Sequence, residues 1–495
     1  MKKVLIIISI SCSLLSSSID KIFGSAAFQN EKPDTTFITY PEKFEFFIPQ
    51  KHAYHQILTM KIFMSQALYD GKLKRRDNGE SKVFLNYDQA LDVIRKIDNL
   101  TMGIPKIIYV TGWQYNGHDS KYPAWFEGNV RLKRPGDTNS LESLRWLMKE
   151  AYRYNTTVSL HINMFDTYDD SPLWDKYVKN DIIAKNADGS LRACEWGWPI
   201  SYAQEWKTGF TQKRIDTLCA LLPIQKAGTI HIDAFHSWPP VPVFEPNGNY
   251  HADLTKKGPI SPFLKFTLED ETEAQRNIFR YWSSKGIDVT SEGVDFLRIT
   301  AFEGYQPMAW WYGGLKNYLK WPASYYCGGQ DNSEWGKLFG TSMHGEDIVK
   351  NDYQTLAGFK EQFCLKTVVW YYLNRLKRLY LLNSKDYKAV QYSDDVRTFL
   401  SKNQYRVTQG NVTLVENDDM LIPALWLSKM SLIAYSKKGY ENKLWELPKD
   451  WSNIKRVRLS RISADGRSQQ EIKKTESGKL SLTLGRDEML LIEKK

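Results

Sequence analysis

The chain has 495 residues, 42% of them hydrophobic and 25% charged, with a formal charge of +10. That is enough chain for two or three domains and a large core, and it excludes a disordered or fibrous class. The basic residues are dispersed and form no nucleic-acid module. The positive balance leaves a lysine-rich solvated surface, or an acidic substrate such as a sialylated or sulfated glycan. Aromatic residues make up 14%, with 17 Trp and 28 Tyr; they stack on sugar rings but also fill cores.

Met1-Lys-Lys followed by Val4-Leu-Ile-Ile-Ile-Ser-Ile-Ser has the charged and apolar regions of a signal peptide over residues 1–26. Two endings compete: cleavage at Gly24-Ser-Ala-Ala27, or a lipidated Cys12. The chain is therefore expected to be exported, as a periplasmic, secreted or lipid-anchored protein. No later stretch reaches the ~20 apolar residues of a membrane span. Cys194, Cys219, Cys327 and Cys364 lack the spacing of a metal site and leave room for one or two disulfides.

Residues 28–87 read as a small N-terminal β extension, with strands at Thr36-Phe-Ile-Thr-Tyr and Lys43-Phe-Glu-Phe-Phe-Ile. From Asp88 the pattern becomes regular. Ala90, Ile94, Ile97 and Leu100 share a helix face, and Lys106-Ile-Ile-Tyr-Val-Thr is a strand. Leu141, Leu144, Met148 and Ala151 mark a second helix, and Thr157-Val-Ser-Leu-His-Ile-Asn163 a second strand. A helix through Ile215, Leu218 and Leu222 leads to the strand Thr229-Ile-His-Ile. A helix through Ala274, Ile278, Tyr281 and Trp282 leads to a strand from Ile287. Strands alternating with helices mean parallel βα units, so residues 88–397 are predicted to form a (β/α)₈-type barrel, closed by a helical run from Leu356 to Leu382. From about Thr398 short alternating strands separated by turns predict a C-terminal antiparallel β-sandwich over 398–495.

The chemistry lies at the strand ends. Asp233 ends one strand and Glu292 the next, each after a β-branched run. Neighbouring parallel strands lie ~4.8 Å apart, so two such carboxylates face one gap. Paired acids at that spacing are what glycoside hydrolysis needs, and a separation of ~5–6 Å would mean retention of configuration. Asp166, Asp295 and Glu303 are rival acids, ranked lower because they lie beyond strand ends or follow no strand. The other strand ends carry Trp113-Gln-Tyr-Asn-Gly-His-Asp-Ser120 and His161-Ile-Asn-Met-Phe-Asp166. Such groups, with no phosphate-binding glycine loop, suit a neutral polyol. His236, close behind Asp233, is placed to contact substrate. His231 lines the barrel by strand alternation and reads as a satisfied core histidine.

Trp113-Gln-Tyr-Asn-Gly-His-Asp-Ser, His161-Ile-Asn, Ile-His-Ile-Asp233 and Thr290-Ser-Glu-Gly together resemble glycoside hydrolase family 101, the endo-α-N-acetylgalactosaminidases, and are similar to the related family 129. The resemblance covers roughly residues 88 to 315. It implies a retaining hydrolase that releases α-linked N-acetylgalactosamine, or the disaccharide Gal-β1,3-GalNAc, from Ser or Thr of mucin-type O-glycans. Asp233 would be the nucleophile and Glu292 the general acid/base. His118, Asp119 and Asn163 would bind sugar, and Trp196 and Trp198 would close over it. No cofactor is required by such chemistry; a structural calcium ion stays open. The partner is a glycan or glycoprotein. The chain departs from the family in its short length and in the 58 residues between Asp233 and Glu292, which include the Pro- and Gly-rich run Pro239 to Pro262. Another α-galactoside-type hydrolase and a catalytically silent glycan-binding protein of the same fold are the alternatives.

Overall fold

The computed structural model describes residues 33–40, 50–70, 76–193, 197–233, 261–291, 358–428 and 430–495. It also describes shorter pieces at 235, 241–244, 250–253, 319, 322–323, 334–340, 343–344 and 353–356. Six parallel strands form the first sheet: β1 (Leu58–Phe63), β2 (Lys106–Thr111), β3 (Thr156–Asn163), β4 (Thr229–Asp233), β5 (Asp288–Ser291) and β6 (Met343–His344). Their spatial order is β5-β4-β3-β2-β1-β6. Sequential strands are neighbours, and the last pairs with the first, as in a barrel wound in one direction. Among the described residues the sheet is an arc; between Ser291 and Met343 only short pieces are described.

The strands are buried along most of their length because helices cover one face and interior side chains the other. Every residue of β1 and β2 is buried. The helices α1 (Tyr87–Thr101), α2 (Ser140–Glu150), α3 (Phe210–Leu221) and α4 (Leu268–Ser284) fall where the periodicity places them. Two of their starts are explicit in sequence. Asn86 with Gln89, and Thr267 with Asp270, form capping boxes that satisfy the first free N–H groups of α1 and α4.

The N-terminal extension divides in two. Asp34–Phe37 pairs antiparallel with Arg378–Asn383 and so belongs to the C-terminal sheet, whereas Leu58–Phe63 is the first barrel strand. The parallel sheet therefore begins thirty residues before Asp88 (88 − 58 = 30). The expected strand at Lys43 lies outside the described residues. The helical run from Leu356 also ends early. It passes through a π-helical turn at Phe363–Val368, stops at Leu373, and the chain turns into strand at Arg378.

That strand opens an eleven-stranded antiparallel sheet, so the β region starts about 20 residues before Thr398 (398 − 378 = 20). A hairpin-like pair, Tyr440–Glu446 with Lys479–Leu484, covers part of it. Trp445, Trp451, Leu480, Leu482 and Ile492 fill the space between. The sheet docks on the parallel sheet and its helices through one continuous core and through polar ties that include two side-chain hydrogen bonds. Trp426 Nε1 donates to the Thr101 carbonyl (3.1 Å), and Asn99 Nδ2 to the Ala464 carbonyl (2.8 Å). No helix among the described residues is long and apolar enough to cross a membrane.

Candidate active site

β3 and β4 set the geometry. Their register pairs His161 with His231 and Asn163 with Asp233. Side chains alternate along a strand, so these four share one face. Asp233 stands at the carboxyl tip of β4 with its side chain 19% exposed, and His161 Nε2 lies 3.5 Å from its Oδ2. His231 is buried behind them and its Nδ1 meets Thr290 Oγ1 on β5 at 2.9 Å. The register of β5 pairs Ser291 with Ile232. Glu292, next in sequence, lies outside the described residues, as do Trp196 and His236.

The loop after β2 brings His118 and Asp119 to the same place. Two glycines let it pack this closely. Gly112 has φ +74° and a Cβ there would fall 1.8 Å from the Ser65 carbonyl oxygen; Gly117 has φ +122° and a Cβ would fall 2.8 Å from Ala67 N. The backbone of His118 then hydrogen-bonds along the chain after β1: its N–H donates to the Ser65 carbonyl at 3.0 Å, and its own carbonyl accepts from Ala67 N–H and Gln66 Nε2. Asp119 adopts φ +59°, a left-handed conformation that Asp tolerates, and Tyr69 donates to its carbonyl at 2.7 Å. Buried Asp77 holds the loop from below, accepting from Asn116 Nδ2 (2.9 Å) and Ser120 Oγ (2.6 Å). His118 Nε2 lies 3.5 Å from Asp119 Oδ1. Ligand atoms of His118, His161 and Asp233 all lie within 4.8 Å of one another, a spacing that serves an ion pair and is also within reach of a divalent cation.

Asn163 is buried and heavily committed. Its Oδ1 accepts the N–H groups of Phe165 and Asp166, both at 2.8 Å, and its Nδ2 donates to Asp166 Oδ2 at 2.8 Å. One Nδ2 hydrogen remains for a ligand. Asp166, ranked low from sequence, is brought into the site by this turn. Burial first, then the charge of Asp119, pushes its carboxyl up to about 7, against the lowering effect of Asn163. Tyr122 was missed by sequence reasoning, because no strand or motif singles it out. Its phenol is buried and held well above the ordinary range by burial, then by the charges of Asp119, Asp233 and Asp166, so it lies within reach of all three charges. Gln114 Nε2 donates to its oxygen at 3.2 Å, and it stacks on Tyr168. Trp198 is half-buried beside the turn, edge-on to Trp174 at 4.9 Å, with its strand residue paired to Thr167.

The expected insertion between Asp233 and α4 includes a hairpin, Val241–Phe244 with Tyr250–Asp253. The site thus collects carboxylates, imidazoles and a phenol at the carboxyl ends of parallel strands. That set can bind a polyol and attack its anomeric carbon.

Residues 78–283 match the model of Glyco_hydro_101, the endo-α-N-acetylgalactosaminidases. The fold is also similar to that of the α-N-acetylgalactosaminidase NagBb from Bifidobacterium bifidum, solved with GalNAc, with a TM-score of 0.50 at 10% sequence identity. That match covers 72% of this chain and 59% of NagBb. The family 36 α-galactosidase AgaB from Geobacillus stearothermophilus aligns with a TM-score of 0.42 at 11% identity, over 89% of this chain and 55% of its own. An α-amylase from Geobacillus thermoleovorans aligns with a TM-score of 0.40 at 10% identity, over 90% of this chain and all of its own.

Proposed function

We propose that the protein is an exported glycoside hydrolase that removes α-linked N-acetylgalactosamine, or Gal-β1,3-GalNAc, from Ser or Thr of mucin-type O-glycans with retention of configuration. The observation that carries the reading is Asp233: a partly exposed carboxylate at the carboxyl tip of β4, facing His161 and clustered with His118. The match of residues 78–283 to the endo-α-N-acetylgalactosaminidase model supports the sugar.

In this reading Asp233 attacks the anomeric carbon while Glu292 protonates the departing oxygen. Glu292 then deprotonates the water that releases the sugar. Asp119, His118 and the remaining Asn163 hydrogen hold sugar hydroxyls, Trp196 and Trp198 stack on the ring, and His236 borders it. The sheet is completed to a closed (β/α)₈ barrel, and the C-terminal β layers supply no catalytic group. Double displacement needs no cofactor.

The test is hydrolysis of p-nitrophenyl α-N-acetylgalactosaminide and of the α-linked core disaccharide on the same leaving group, followed by proton NMR. The α-anomer should appear first. First appearance of the β-anomer would establish inversion, and cleavage of α-galactosides alone would replace the substrate.

A further inference from the structure

Another side chain of the interior faces Asp233. We propose that His161 is a positioning residue for the Asp233 nucleophile, its Nε2–H steering Oδ2 so that Oδ1 points at the anomeric carbon. The inference rests on the reading of Asp233 as nucleophile.

Three observations carry it. The register of β3 on β4 sets His161 one pair below Asn163–Asp233, on the same face, and its Nε2 lies 3.5 Å from Oδ2. At 3.5 Å the contact is looser than a formed hydrogen bond, and catalytic hydrogen bonds are often long or poorly aligned without substrate and tighten when it binds. The imidazole also has little freedom. Its side chain is 3% exposed, stacked on His231 at 5.2 Å and 28°, and met edge-on by His118 at 5.1 Å. Its backbone is pinned by Trp113 Nε1, which donates to the His161 carbonyl at 3.1 Å, and His231 behind it is tied to Thr290 on β5. Finally, an apolar residue would fill this interior without the cost of burying two ring nitrogens, so an imidazole here is expected to serve a polar partner.

Atoms balance without a change at His161. The Oδ1–C1 bond forms as the C1–O bond to the aglycone breaks, and the leaving oxygen takes its proton from Glu292. His161 keeps its own proton throughout. Its N–H relaxes from Oδ2 as the carboxylate becomes an ester, and binds again when water displaces the sugar and the charge returns.

Two variants separate positioning from packing. His161→Phe keeps a ring in the stack and loses the donor; His161→Gln loses the ring and returns an N–H near Nε2. On p-nitrophenyl α-N-acetylgalactosaminide, His161→Phe should lower kcat about 10–100-fold, the usual effect of removing such an orienting partner, with KM nearly unchanged. His161→Gln should exceed His161→Phe by about tenfold in kcat, even where its thermal midpoint is lower. A Phe variant as active as wild type, or a Gln variant no better than the Phe variant, would overturn the proposal. Asp233→Ala is assayed alongside: turnover by that variant would refute the nucleophile itself, independently of either His161 result.

Discussion

Asp166 offers a quantitative check on the site, through Asp166→Asn. The substitution keeps the shape and the acceptor for Asn163 Nδ2 but removes the ionisation. The ordinary aspartate value is 3.8, and burial together with Asp119 raises Asp166 to about 7. At about 1.4 kcal/mol per tenfold change in proton affinity, ionised Asp166 is up to ~4 kcal/mol less stable in the folded protein than in the unfolded chain. The sign follows from proton counts. Between about pH 4 and 7 the folded protein holds a proton that the unfolded chain has released, so stability is complete at low pH and falls as pH rises through that window. Wild type and Asp166→Asn should therefore be within ~1 kcal/mol of each other near pH 4, and the variant should be more stable by roughly 2–4 kcal/mol near pH 8. Buried Glu271, raised to about 8 by burial, titrates in both proteins and cancels in the difference. Urea denaturation at several pH values, followed by tryptophan fluorescence, measures it. Stability curves that stay parallel from pH 4 to 8 would refute the raised Asp166 affinity.

Glu292→Ala should retain activity on aryl glycosides with very good leaving groups and lose most of it on Ser/Thr-linked sugars, which need protonation. Added azide should then yield the α-glycosyl azide, since a β-linked intermediate inverts once; the β-azide would contradict double displacement. Arg214→Leu should destabilise by about 3–5 kcal/mol in denaturant titrations, because buried Glu205 loses its 2.8 Å partner. The same change frees the Pro123 carbonyl beside Tyr122, which Arg214 Nη1 holds at 2.9 Å. Adding Glu205→Gln should recover part of that loss. Dialysis against EDTA should leave kcat unchanged, and a loss restored by calcium or zinc would assign the His118, His161 and Asp233 cluster to a cation.

Much of this arrangement follows from local pattern. Asn86 with Gln89 announces α1, β-branched runs announce β2 to β5, and the polar residue after each run marks the carboxyl end of the strand. Both features are carried by a few adjacent residues, so period and spacing report them directly. Leu58–Phe63 escaped because Thr59 and Lys61 interrupt its apolar character, although both are buried in the folded chain. Asp34–Phe37 escaped because its partner, Arg378–Asn383, lies far away in sequence. At the site, sequence alone determined that Asp233 ends β4 and that His118 and Asp119 follow β2, so that they belong to the same end of a parallel sheet, since strand ends are local properties. That His161 faces Asp233, that Asp166 folds back through Asn163 into a region of like charge, and that Tyr122 lies within reach of three carboxylate charges were decided only by tertiary structure. Burial and the distances between charges depend on strand register and loop packing, which no stretch of chain contains by itself.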